Sequence, residues 1–165
     1  MKKRAIFIFL LGFLVSDYVV GQEKTKNSIL VGINLSNCHP CHMPLLIFPG
    51  LSIEYERLLG NKFSVGVEIG TNFIFDSPFP YFGVRGRFYP RSGEFFTGLK
   101  LGLVKYPGFH FFPIISPEFG WKFDFEKNNN WFFMPSVAAR FTIHNEVPIV
   151  EWTFISLGIK IGYRF

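Results

Sequence analysis

The chain has 165 residues, 48% of them hydrophobic and 19% aromatic, with a formal net charge of +5. That length suits one domain, and so mild a charge does not argue for a nucleic-acid partner. Outside the N-terminus no segment approaches the roughly 18 consecutive apolar residues of a membrane-spanning helix.

Residues 1–21 read as a secretory signal peptide. They hold the basic MKKR, the apolar run AIFIFLLGFLV and a small-residue site at Val19-Val20-Gly21. The apolar run is too short to span a bilayer. Losing Lys2, Lys3, Arg4 and Asp17 leaves 14 basic and 11 acidic residues, a net charge of +3. Export also brings Cys38 and Cys41 into an oxidising compartment. Residues 22–165 are expected to form a single β-domain.

Eight stretches of that domain alternate with period two, the mark of half-buried strands. SILVGINLS sets Ile29, Val31, Ile33 and Leu35 against Ser28, Gly32, Asn34 and Ser36. LSIEYE sets Leu51, Ile53 and Tyr55 against Ser52, Glu54 and Glu56. FSVGVEIG places Ser64, Gly66, Glu68 and Gly70 on its polar side. YFGVRGRFY places Gly83, Arg85 and Arg87 there. FFTGLKLGLV contributes Gly98, Lys100 and Gly102, and ISPEFGWKFDF contributes Ser116, Glu118, Gly120, Lys122 and Asp124. WFFMPSVAARFTI adds Ser136, Ala138, Arg140 and Thr142, and TFISLGIKIGYRF adds Ser156, Gly158, Lys160, Gly162 and Arg164. Pro117 and Pro135 lie within two of these runs and predict bulges or shortened strands, since neither can donate to a ladder.

The links alternate in length. LGNK, PRSGE and EKNNN are short and polar. NCHPCHMPLLIFPG, TNFIFDSPFP, YPGFHFFP and HNEVPIV are longer. Antiparallel strands joined in sequence therefore gather all long links at one end, with both chain ends at the other. The long links are unusually apolar. Either the strands run further than the alternation shows, or the links pack as a cap, or they offer a hydrophobic surface to an unknown partner.

Three features decide which face looks inward. Glycine shares the polar face with charge, which suits a narrow lumen where space is scarce. The charges nearly balance: Glu54, Glu56, Glu68, Glu118 and Asp124 against Arg85, Arg87, Lys100, Lys122, Arg140, Lys160 and Arg164. Enclosed charges must pair, so these residues are expected to form a salt-bridge network plugging the lumen. Aromatic residues gather near the short turns: Tyr55, Phe63, Phe88, Phe95, Phe123, Phe125, Trp131, Tyr163 and Phe165. That suits an interfacial girdle, and hydrocarbon requires the sheet to close. The expected fold is all-β: an eight-stranded antiparallel up-and-down transmembrane β-barrel.

The closing GIKIGYRF resembles the terminal strand of bacterial outer-membrane β-barrels, with Tyr163 and Phe165 matching the aromatic ending read by the insertion machinery. Lys160 stands where that pattern usually has an inward glycine. As architecture the domain is similar to the small OmpA/OmpX-type barrels. The resemblance implies an outer-membrane location in contact with lipid and lipopolysaccharide, with long links facing the cell exterior.

CHPCH, residues 38–42, has the spacing of a c-type haem attachment site. A loop on an all-β barrel offers the ring no pocket, and Met43 beside His42 cannot reach the opposite haem face. No cofactor is therefore expected. A Cys38–Cys41 disulfide, free thiols and metal ligation stay open. His39, His42, His110 and His144 all fall in the long links with both cysteines. Such donors suit zinc or copper, but lipid-facing positions exclude histidine in any case, and no metal ligands are assigned. His42 or His39 with Asp76-Ser77 loosely matches lipid-A acyl-transferring barrels. Asp, Ser and Pro are also ordinary turn residues. The reading favoured is a structural or surface-interaction protein without catalytic residues or a diffusion channel. A lipid-A-modifying enzyme and a soluble barrel with an apolar ligand are the alternatives.

Overall fold

The computed structural model describes residues 27–38, 47–74, 77–90, 95–105, 110–125, 130–143 and 153–165. The signal peptide, Cys41, His39, His42, His144 and Asp76 lie outside them, as does the side chain of Cys38. The described chain is all β: β1 (Asn27–Cys38), β2 (Ile47–Leu59), β3 (Phe63–Ile74), β4 (Ser77–Phe88), β5 (Phe95–Lys105), β6 (Phe111–Trp121), β7 (Phe123–Asp124), β8 (Trp131–Thr142) and β9 (Thr153–Arg164). Every pairing is antiparallel, and apart from β6 and β7 neighbours in sequence are neighbours in the sheet. The two-residue β7 continues β6 beyond Lys122 and pairs with β8 at the same register. The sheet closes because β1 pairs β9 and β6 pairs β8. The result is an eight-stave up-and-down barrel. Asn27 and Phe165 exchange backbone hydrogen bonds of 3.3 and 2.9 Å, so both ends of the described chain meet at the turn end.

The alternation resolves as expected. Ile33 and Ile69 are 60% and 62% exposed on the outer wall, while Glu54 and Glu68 are 1% and 2% exposed inside. Apolar side chains thus cover the outside and ionic ones line the axis, the arrangement of a transmembrane barrel. The soluble alternative, with Phe and Ile lining a cavity, is excluded by this geometry.

One expectation is corrected and another narrowed. β2, β4 and β6 begin at Ile47, Ser77 and Phe111, so much of the apolar sequence assigned to long links is strand. The β3–β4 connection shrinks to residues 75–76. At the prolines the expectation of bulges or shortened strands narrows to the second: no bulge forms, and β6 ends at Trp121, opposite Pro135. The β6–β8 register holds from Ile114↔Thr142 to Gly120↔Ser136, but the ladder is interrupted at Pro117. It lapses again at Trp121 and Lys122, opposite Pro135, before resuming at Phe123↔Phe133. A missing N–H deletes a rung without shifting the chain.

Aromatic side chains form cross-strand pairs around the turn end. Phe63–Phe88 and Phe123–Phe133 lie 4.9 Å apart between centroids, Trp131–Tyr163 5.1 Å and Phe95–Trp121 5.6 Å. Each pair is directly opposed in the ladder.

Candidate functional site in the barrel lumen

The polar phase of each strand points inward, so the lumen collects what the sequence alternated. At mid-height four glutamates from three strands meet four cations from three others. Arg85 reaches Glu54 at 2.7 Å and Glu118 at 3.2 Å, and also bridges Glu68. Arg87 contacts Glu54 at 2.7 Å and both Glu56 and Glu118 at 2.8 Å. Lys100 reaches Glu68 at 3.0 Å. Lys160 reaches Glu68 at 2.9 Å and bridges Glu54 as well. Each carboxylate meets at least one guanidinium, and the pairs form one connected cluster in which charge-assisted bonds offset the desolvation of ions held away from water.

Neutral donors complete the cluster. Ser64 and Tyr89 donate to Glu56 at 2.5 and 3.0 Å, and Tyr81 donates to Glu68 at 3.3 Å. Tyr89, just past the end of β4, has its phenol pushed well above the ordinary range by burial and then by the Glu56 carboxylate. It therefore stays protonated and keeps its donor role. Neither tyrosine was singled out from the sequence. The signal was parity: residues 81 and 89 share the phase of Arg85 and Arg87.

The glycines make the space. A Cβ on Gly66 would lie 3.1 Å from a Glu54 carboxylate oxygen and 2.7 Å from the Tyr55 carbonyl. One on Gly98 would sit 3.0 Å from Glu118, and one on Gly70 2.6 Å from the Tyr81 hydroxyl. Gly32 leaves room for the Lys160 stem, so the lysine that departs from the terminal-strand pattern occupies volume conceded by the neighbouring strand.

Four expected members stand apart from the central cluster. Arg164 pairs with Asp124 near the turn-end rim. Its guanidinium lies 4.9 Å from the Phe132 ring, and Lys122 Nζ lies 4.2 Å from the same ring. Arg140 sits 4.7 Å from the Tyr81 ring centroid. Lys122 and Arg140 make no salt bridge to a described carboxylate; their neighbours are π-faces, which attract cations more weakly. The lumen is also less polar than expected. Leu30, Tyr89, Phe96, Phe132 and Met134 pack as an apolar cluster towards the turn end, and Tyr81, Val104 and Ile114 form a second towards the loop end. Leu30, Phe96, Phe132 and Met134 all lie on the polar phase of their strands, so their inward direction was legible in the alternation.

Of the other candidates, Tyr163 and Phe165 lie on the outer wall. The backbone of Cys38 ends β1 opposite Phe154; a Cys38–Cys41 bond falls outside the described residues. Ser77 opens β4 opposite Ile74, and the Asp76 and histidines suggested as its partners are outside the described residues. His110 is exposed beside β6. Among the described residues no group of three metal-ligating side chains converges.

No protein-family model and no curated protein sequence matches the chain. Solved structures do. The attachment invasion locus protein Ail of Yersinia pestis, crystallised with the heparin analogue sucrose octasulfate, superposes with a TM-score of 0.59 at 15% identity. The match covers 87% of this chain and 100% of that one. Neisserial surface protein A matches with a TM-score of 0.59 at 10% identity, over 88% of this chain and all of that one. The N-terminal β-barrel domain of Pseudomonas aeruginosa OprF gives 0.58 at 10% identity, over 86% and 100%. The fold is that of the small outer-membrane β-barrels. At such identities the likeness concerns architecture alone.

Proposed function

We propose that the protein is an integral outer-membrane barrel with a plugged lumen and a structural or surface-interaction role. The observation that carries this reading is the cross-section. At mid-height, where a pore would need water, Glu54, Glu56, Glu68 and Glu118 are cross-linked by Arg85, Arg87, Lys100 and Lys160. Apolar clusters pack inside the barrel towards both ends. Eight staves enclose room for side chains and little else. Tyr163 on the outer wall of β9 and the exposed Phe165 just past its end are available to the insertion machinery, and the apolar wall to lipid and lipopolysaccharide. A surface-interaction role is supported by the likeness to an attachment protein crystallised with a sulfated sugar analogue. The lumen pairs its carboxylates with cations, which gives them a structural part in the plug.

Reconstitution in a planar bilayer tests the plug. The expected record has no porin-sized conductance steps, and steady steps of that size would refute the reading. Location is tested separately, by fractionating cells that express the full chain: the protein should sediment with outer membranes.

A further inference from the structure

We propose that the loop end of the lumen is an oxyanion-binding site centred on Arg140. The four buried glutamates are engaged by Arg85, Arg87, Lys100 and Lys160. Arg140 is 5% exposed, two residues from the loop end of β8, and makes no salt bridge to a described carboxylate. Its guanidinium stacks on Tyr81, whose ring also has Lys100 Nζ 4.5 Å from its centroid. Lys100 is bridged to Glu68, so Arg140 is the cation on this ring that no described carboxylate bridges. A buried guanidinium costs several kcal/mol unless its charge is met, and a ring face supplies no counter-charge.

Polar groups that reach the same tyrosine, or lie on the same half of the lumen, are under-used. The Asn34 amide nitrogen approaches the Tyr81 hydroxyl at 3.5 Å. The carbonyl oxygens of Asn34 and Asn72 converge over Gly50, and neither has a hydrogen-bond partner among the described residues. Asn72 is 4% exposed. Rotating its amide by half a turn presents a donor at the same place. Ser36, 2% exposed on the same half of β1, also carries a hydroxyl without a described partner. One guanidinium, two carboxamides and a hydroxyl supply the donors that phosphate, sulfate or carboxylate oxygens accept, the guanidinium in bidentate fashion. The ligand class is therefore a small oxyanion, free or carried as a phosphate group on lipid. The site is independent of whatever the outer surface contacts.

The test uses the refolded full chain in non-ionic detergent. The thermal midpoint of heat-modifiable migration is followed as sulfate, then inorganic phosphate, replaces chloride at fixed ionic strength. Wild type should rise saturably by about 3 °C or more, as expected for a ligand that binds only the folded state. R140Q should lose the response, and R140K should keep part of it. A parallel arm adds phosphatidic acid to the micelles. A response to the lipid alone assigns the site to a lipid phosphate, and a response to both assigns it to oxyanions generally. R140Q should fold at least as well as wild type in chloride, because it deletes an unbridged buried charge. Equal responses in wild type and R140Q, or no response in wild type to any of the three probes, overturn the proposal. So does an R140Q variant destabilised in chloride with no oxyanion dependence, which would mean that a carboxylate of the chain itself holds the guanidinium.

Discussion

Glu54 shows at residue scale what the interior demands. It is 1% exposed and bridges Arg85, Arg87 and Lys160. Removing one partner from such a cluster leaves the others charged and dry, which costs about 3–5 kcal/mol. Arg85→Ala, which releases Glu54, Glu68 and Glu118 together, is expected to lose that much in urea unfolding in detergent. Glu68→Ala should fall in the same range. Loss of less than about 1 kcal/mol would mean that the groups are solvated. Gly70→Leu tests the space argument: its side chain would drive into Tyr81, and overpacking of this kind costs about 1–3 kcal/mol. Which residues point inward was legible from parity alone. Which of them pair was not, because register depends on the turns. The alternation could not show that Arg140 and Lys122 would find rings in place of carboxylates.

At the scale of elements, the existence and direction of the strands were legible, and their limits were not. Pro49, Pro78, Pro80 and Pro113 read as loop signals, yet all four lie within strands, on the outward phase. Their positions explain the tolerance. Pro78 and Pro80 precede the β4–β5 ladder, which starts at Tyr81↔Val104, so no rung on that side is lost. Pro117 and Pro135 are different, since both interrupt the β6–β8 seam. Amides beside those gaps should exchange with deuterium faster than those of β1–β2, measured by mass spectrometry in micelles. Pro135→Val should slow exchange at Trp121 and Lys122 by restoring a donor. Unchanged exchange would show that the gap has another cause. The aromatic pairs at the turn end make a further prediction. Trp121 and Trp131 face outward there, and lipids brominated near the headgroup should quench their fluorescence more than lipids brominated at the chain ends.

For the whole molecule, closure links the levels. An outer wall bearing Ile33, Ile53, Ile69, Leu101 and Ile159 at about half exposure or more is tolerable only in hydrocarbon or detergent. Hydrocarbon in turn forbids an unpaired sheet edge, and the β1–β9 pairing removes that edge. Unheated protein should therefore migrate as a compact species on detergent gels and shift on boiling. A single unshifted band would argue against a closed barrel. The fold class was legible because one physical rule, oily residues to lipid, governs every strand. The role was not, because a plugged axis and an oily wall are needed by any barrel of this size, whatever its loops meet.

Lys160 joins Glu54 across 106 positions of sequence and Glu68 across 92. It belongs to β9, which emerges after every other stave has been synthesised. Until that strand docks, two carboxylates on β2 and β3 lack one of their counter-ions, and a half-built sheet keeps a hydrated, repelling concave side. Seating β9 thus closes the cylinder and neutralises its axis in a single event, so a chain stalled before that point gains little from entering the bilayer early.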